Sequence, residues 1–256
     1  MVAWGRREAP TIPSRLAPGP RSKVSAENRD KEARVDGRDA KDRLYEAFAA
    51  TAKAAASPKR IEVLELLAQG ERTVDSLARA TGMGVTNTSA HLQVLRNARL
   101  VDTRKDGTRV FYRLAGDEVA AFMAVLRDLA RSRLAEVDQV VRDYFGTRDA
   151  LEPVTRSELV ERAERGDVTI LDVRPVEEFA AGHIPTALSV PLDHLDAALA
   201  RLPSGAQIVA YCRGPYCVLA LQAVERLRAE GFQAWRLADG MPEWRLAGLP
   251  VAVGDN

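Results

Sequence analysis

Cysteine is almost missing from this chain: 256 residues hold two, Cys212 and Cys217. Two cysteines cannot build a disulfide framework, so the sequence points to a reducing cytoplasm. Histidine is equally scarce, with three residues, and aromatic residues make up 5%. Before residue 183 the only His or Cys is His91. Borderline-soft metals need thiolate or imidazole, so a metal site in the first half is not expected, and no cofactor is implied. No apolar run approaches the roughly 18 residues of a membrane span. The opening MVAWGRREAP lacks the apolar core of an export signal.

Net charge is also nearly absent, at +1, but it is unevenly spread. Residues 1–146 hold 26 Lys and Arg against 20 Asp and Glu, whereas 147–256 hold 11 against 16. A basic half favours an anionic partner, most simply nucleic acid. Residues 1–38 are rich in Pro, Arg, Ser and Glu. They cannot bury enough apolar surface to offset chain entropy and read as a disordered extension.

From about Lys41 the pattern becomes helical. RLYEAFAATAKAAA is rich in helix formers. Ser57-Pro58 reads as an N-cap and first helical position, opening KRIEVLELLAQG. TVDSLARATG is a short helix closed by Gly82, and VTNTSAHLQVLRNARL is another. VDTRKDGTRVFYRL reads as a hairpin with Asp106-Gly107 at its turn. DEVAAFMAVLRDLARSRLAEVDQVVRDYF predicts one long amphipathic helix to Gly146. This order predicts a winged helix-turn-helix over 39–146, and TRDALEPVT (147–155) reads as a linker.

In such a domain the second helix of the pair enters the major groove. Its polar candidates here are Thr86, Asn87, Ser89 and Gln93. Amide side chains can pair bidentately with adenine, and hydroxyls are less selective. The hairpin offers Arg104, Lys105 and Arg109 to phosphate or the minor groove. SPKRIEVLELLAQGERTVDSLARATGMGVTNTSAHLQVLRNARLVDTRKDGTRVFYRL resembles the ArsR/SmtB family of dimeric bacterial repressors over roughly residues 40–145. The resemblance implies a homodimer on palindromic double-stranded operator DNA, released by an inducer. Members that sense arsenic or cadmium carry a cysteine pair where this chain has Thr73 and Asp75. Members that sense zinc carry His on the last helix, which has none here. Arg99 stands where glycine is usual.

After residue 155 strands and helices alternate. VTILDVR, ALSVPL, QIVAYC and AWRLAD are strand candidates. TRSELVERAERG, LDHLDAALARL and CVLALQAVERLRAEG are helix candidates. Alternation predicts an α/β domain with a mostly parallel sheet over 156–252. Both cysteines fall in AYCRGPYCVLA, which joins the C-terminal end of a strand to the N-terminus of a helix. Ligands bind at that edge of open α/β sheets, and helix N-termini present free N–H groups and partial positive charge. Cys212 is therefore placed as a thiolate nucleophile whose persulfide the loop amides would cradle, with Arg213 adding charge. Cys217 reads equally as a resolving thiol or as a small residue opening the helix.

LDVRPVEEFAAGHIPTALSVPL, AYCRGPYC and RLADGMPEW, in that order, resemble the rhodanese domain. The resemblance implies transfer of sulfane sulfur through a persulfide on Cys212. Asp172 and Arg174 match the family's Asp-Val-Arg element and are candidate site residues; His183 reads as structural and Trp244 as a core anchor. Thiosulfate is a less favoured donor than persulfide or polysulfide, because the loop has few cations for a dianion. Phosphatases of this fold need a longer loop ending in Arg, where Val218 stands here.

Two functions follow. In one, the chain is a metal-independent repressor that senses sulfane sulfur at Cys212 and releases DNA. In the other, it is a sulfurtransferase that passes sulfur to thiol acceptors, tied to its operon by the DNA-binding half. Sensing of a metalloid by the Cys212/Cys217 pair is a third reading.

Overall fold

The computed structural model describes residues 37–146, 153–202 and 205–254. The expected N-terminal extension therefore lies almost wholly outside the described residues, as does most of the 147–155 linker.

The first domain opens with α1 (Gly37–Ala55) and α2 (Pro58–Leu67). Ser57 stands at the N-cap position of α2 in an extended conformation, without a side-chain capping bond, and Pro58 is pre-set at the first helical position. A two-residue strand, β1 (Arg72–Thr73), leads into α3 (Val74–Thr81). The Thr73 hydroxyl accepts from the Ser76 N–H, and Gly82 closes α3 at φ +65°. Next come α4 (Val85–Asn97), β2 (Val101–Asp106) and β3 (Arg109–Leu114). β1, β3 and β2 form an antiparallel sheet in that order. The Asp106–Arg109 pairing leaves Gly107 and Thr108 as the loop, one residue beyond the predicted Asp106-Gly107. Gly107, at φ +56°, supplies the left-handed turn.

The predicted long last helix is broken. α5 (Asp117–Arg133) ends at Leu134, which is extended at φ −110° and ψ 108°. α6 (Ala135–Val141) and a wider turn, Arg142–Gly146, follow. No Pro or Gly marks the break, so the apolar periodicity runs straight through it. Leu64, Leu67, Leu77, Leu92, Leu95, Val101 and Met123 close one core across α2–α5 and the sheet. This is the winged helix-turn-helix expected from the order of elements. Arg99 takes φ +57° just past α4, the conformation that glycine adopts without steric cost.

The second domain contains α7 (Arg156–Arg165), β4 (Thr169–Asp172), α8 (Val176–Ala181) and β5 (Leu188–Ser189). It continues through short helical turns around α9 (Leu195–Ala198), then β6 (Gln207–Cys212), α10 (Val218–Ala229), β7 (Gln233–Gly240) and α11 (Met241–Leu246). The strands form one parallel sheet in the order β5-β4-β6-β7. Alternate residues of β6 face opposite layers. Ile208, Ala210 and Cys212 pack with α9 and α10, and Val209 and Tyr211 pack with α7, α8 and α11. The chain leaves β4 toward one edge and β6 toward the other. The Cys212 loop therefore starts at the topological switch point, where α/β sheets bind ligands.

The two domains touch through the end of α2. Arg245 of α11 donates to the Ala68 carbonyl at 2.9 Å, satisfying one of the orphan acceptors at that helix terminus. A Cβ on Gly70 would lie 2.8 Å from the Ala181 Cβ, so the backbones approach too closely there for a side chain.

Candidate functional site

Asp172 and Arg174 lie at the end of β4 and are fully buried. The Asp172 carboxylate accepts from Arg174 Nε at 2.9 and 3.2 Å and from Arg174 Nη2 at 2.5 Å. It also accepts from the Tyr211 hydroxyl at 2.5 Å. Burial and then the Asp172 charge push the Tyr211 pKa well above its usual value, so Tyr211 keeps its proton. Burial opposes the Arg174 charge, but the hydrogen bonds and field of Asp172 outweigh it and raise the Arg174 pKa. Asp172, Arg174 and Tyr211 thus form a closed polar network under the sheet edge.

Cys212 ends β6 and is 1% exposed, whereas Cys217, the N-cap of α10, is partly exposed. The two are joined as a disulfide, with Cα atoms 6.1 Å apart, a normal separation for such a bond. Between them the Cys217 N–H donates to the Gly214 carbonyl at 3.1 Å, making a tight turn. The turn sits on Gly240, where a Cβ would come within 2.2 Å of Gly214 N. Glu243 braces that glycine by accepting from its N–H at 3.0 Å.

Arg213 does not stand free over the loop as the sequence suggested. Its guanidinium grips Glu178 of α8, with Nε at 2.9 Å and Nη2 at 2.6 Å from Oε1. Arg72 of β1, in the other domain, donates to the same carboxylate. Glu178 is 2% exposed and so acts as one buried anion between two cations. That pairing removes most of the positive field that Arg213 would have given a dianion.

The first domain completes the loop's surroundings. Gln69, 1% exposed at the end of α2, donates from Nε2 to the Arg213 carbonyl at 3.1 Å. Its Oε1 accepts from Arg174 Nη1 at 3.1 Å. Arg127 of α5 pairs with Glu243. A cavity of about 300 Å³ lies between these elements, walled by Glu65, Met123 and Arg127 on one side and Pro215, Tyr216 and Cys217 on the other. Cys217, rather than Cys212, borders it.

In the first domain, Thr86, Asn87, Ser89 and Gln93 are all exposed on α4. Leu92 and Leu95 anchor its other side. Arg96 and Asn97 prolong the exposed face and escaped the sequence reading, although Gln93 and Asn97 share the helical spacing that reveals them. Lys105 and Arg109 are exposed at the hairpin. Arg104 is engaged elsewhere: its Nη2 lies 2.5 Å from Glu71 and its guanidinium stacks 4.8 Å from the Phe111 ring. In the second domain His183 stacks on Phe179 at 3.6 Å, and its Nδ1 meets the Phe179 carbonyl. Trp244 is fully buried and donates to the Pro250 carbonyl.

Comparison with known proteins agrees with this two-part architecture. Residues 57–103 match the bacterial regulatory protein, arsR family, and residues 155–247 match the rhodanese-like domain. The HTH-type transcriptional regulator Rv0324 of Mycobacterium tuberculosis is 48% identical over 216 residues, covering 84% of this chain and 95% of that protein. A sulfurtransferase of Allochromatium vinosum is 31% identical over 95 residues, covering 37% of this chain and 87% of its own length. A solution structure of the homodimeric winged helix-turn-helix domain of Mb0332 from Mycobacterium bovis is 45% identical. It covers 38% of this chain and 89% of that one, with a TM-score of 0.36. The chain belongs to the arsR family of bacterial transcriptional regulators and carries a rhodanese-like domain after its DNA-binding domain.

Proposed function

We propose that this protein is a metal-independent cytoplasmic repressor that senses sulfane sulfur at Cys212 and then releases operator DNA. The observation that carries this reading is the position of the cysteine loop. It is bonded to the end of α2 through Gln69 and faces α5 of the DNA-binding domain across the Arg127-walled cavity. A change in the loop therefore presses on the helices that carry the reading unit.

The chemistry balances with a persulfide or polysulfide donor. The Cys212 thiolate attacks the sulfane sulfur of the donor, forming a Cys212 persulfide and releasing the donor's thiolate. The Cys217 thiolate then attacks the inner sulfur, closing the Cys212–Cys217 disulfide and expelling hydrosulfide. The bond described above has that connectivity. Two equivalents of a cellular thiol would reopen it.

DNA would be read by Thr86, Asn87, Ser89 and Gln93 in the major groove, with Lys105 and Arg109 on the backbone. A homodimer would cover the apolar side chains left exposed on α1 and on α5–α6, among them Leu44, Phe48, Val125, Leu129 and Val140. A palindromic operator follows from such two-fold symmetry.

The test is operator affinity at fixed salt, before and after inorganic polysulfide, with mass spectrometry of the Cys212–Cys217 peptide in the same samples. A loss of tenfold or more that tracks a sulfur adduct or the disulfide is expected, and it should vanish in Cys212→Ser. Undiminished release in Cys212→Ser would overturn the reading. The cysteine at the switch point of a parallel sheet also favours a second reading, a working sulfurtransferase with thiol acceptors. An adduct that turns over to thiols without changing DNA affinity would select it.

A further inference from the structure

Gln69 is the first residue after the C-cap of α2, and it belongs to the DNA-binding domain. Yet its side chain is buried in the neighbouring domain's loop. Both amide hydrogens are used, one on the Arg213 carbonyl at 3.1 Å and one on the Glu65 carbonyl at 3.3 Å. Its oxygen accepts from the Arg174 guanidinium at 3.1 Å. Carbonyls only accept and guanidinium only donates, so the amide has one orientation that satisfies all three partners. Arg174 is itself immobilised by Asp172 and by the Gly182 carbonyl, which it meets at 2.8 Å. Gln69 is therefore a rigid bridge from a fully buried network to the Arg213–Gly214 peptide, one residue beyond Cys212.

That peptide matters because a trans peptide unit is planar. Fixing the Arg213 carbonyl fixes the direction of the Gly214 N–H on its opposite edge. The next peptide unit is held separately, its Gly214 carbonyl accepting from the Cys217 N–H at 3.1 Å, so both ends of the turn between the cysteines are tied. On the proposed reading, a thiolate or persulfide on Cys212 would be stabilised by the loop amides, and such stabilisation requires that they be held in place. Arg213 cannot supply that stabilisation, because its charge is spent on Glu178.

We propose that Gln69 is a positioning residue for the sulfur chemistry of the C-terminal domain, supplied by the DNA-binding domain. The inference rests on the reading of Cys212 as a sulfur acceptor. It adds that the acceptor's reactivity is complete only while the two domains are docked. Linkage makes the effect reciprocal: a sulfur state that displaces the Arg213 carbonyl must loosen Gln69 and the end of α2 by the same free energy.

The test uses full-length reduced protein carrying Cys217→Ser, so that one thiol titrates, with Gln69→Glu and Gln69→Leu added separately. Gln69→Glu keeps an acceptor for Arg174 but cannot donate to Arg213; Gln69→Leu loses both bonds and keeps the volume. The readouts are the pH profile of ultraviolet thiolate absorbance and the single-turnover rate of sulfur loading from polysulfide. Both variants should move the thiolate midpoint upward and slow loading by up to about tenfold at neutral pH, the scale of one lost hydrogen bond of about 1 kcal/mol that holds the loop. If Gln69→Leu fails to fold, the neutral Gln69→Met, which also loses both bonds, takes its place, because the carboxylate of Gln69→Glu raises a nearby thiol pKa by its charge as well. An unchanged midpoint in Gln69→Glu would overturn the proposal, whereas a Cys212 that never takes up sulfur in the parent protein would defeat the functional reading instead.

Discussion

Replacing Glu178 with glutamine removes one charge from between two guanidinium groups and leaves the volume unchanged. The side chain is 2% exposed, and its partners Arg72 and Arg213 are 13% and 29% exposed. At an effective dielectric near 20, one such pair about 4 Å apart attracts by about 4 kcal/mol. Both attractions vanish, while Arg72 and Arg213 remain and repel one another. Removing one partner of a buried ion pair generally costs about 3–5 kcal/mol. Arg213 borders solvent and can turn outward, and the new amide oxygen still accepts a hydrogen bond, so the loss should be about 3 kcal/mol. Urea unfolding followed by circular dichroism measures it. Two domains need not unfold together, so the shift belongs to whichever transition includes the interface. The same substitution releases the Arg213 charge toward the cysteine loop. Transfer of sulfur from thiosulfate to cyanide should then show a several-fold lower KM, and added salt should shrink the gain. A stability change under about 0.5 kcal/mol, well below the range for a broken buried pair, with an unaltered thiosulfate KM would refute this account of the loop's electrostatics.

Two further expectations concern the flanks of the site. Hydrogen bonds from Arg104 hold the Glu71 carboxyl below its usual pKa, so the pair's contribution is present above the unfolded carboxylate pKa and is lost as pH falls through the lower folded value. Glu71→Gln should free Arg104 for phosphate and steepen the salt dependence of operator binding by about one unit of slope; an unchanged slope would mean that Arg104 stays on Phe111. Gly240→Ala pushes a methyl into Gly214 N, although φ at Gly240 is a permissive −124°. It should cost about 1–3 kcal/mol by overpacking and abolish sulfur loading at Cys212. Loading at the normal rate would show that the loop yields without harm.

Much of this arrangement is legible in the chain because it is written locally. Ser57-Pro58, Thr73 with Gly82, and the Gly107 turn each declare an element boundary within a few residues. QIVAYC is recovered as a strand without a shift, since a buried parallel strand is a continuous apolar run. β1 escapes because two residues are too short for any period, and the break at Leu134 escapes because no breaker residue marks it. The site divides the same way. Cys212, Cys217, Asp172 and Arg174 announce themselves by motif. Glu178 and Gln69 do not, because their partners lie 106 and 144 residues away in the other domain, and no local pattern encodes such a pairing. The free charge expected of Arg213 failed in a similar way: its neutralising carboxylate, Glu178, is 35 residues away and is invisible until the chain folds.

Glu178 is shared between Arg213, beside the cysteine, and Arg72, on the sheet of the wing. Shared ownership restricts how such a chain can evolve or be re-engineered. A rhodanese-like domain transplanted from elsewhere would leave Arg72 and Gln69 buried and unmet, and a foreign DNA-binding domain would strand Glu178 and Arg174 in the same way. Changes at these four positions are coupled across the interface, so exchanging either half alone leaves buried polar groups unmatched.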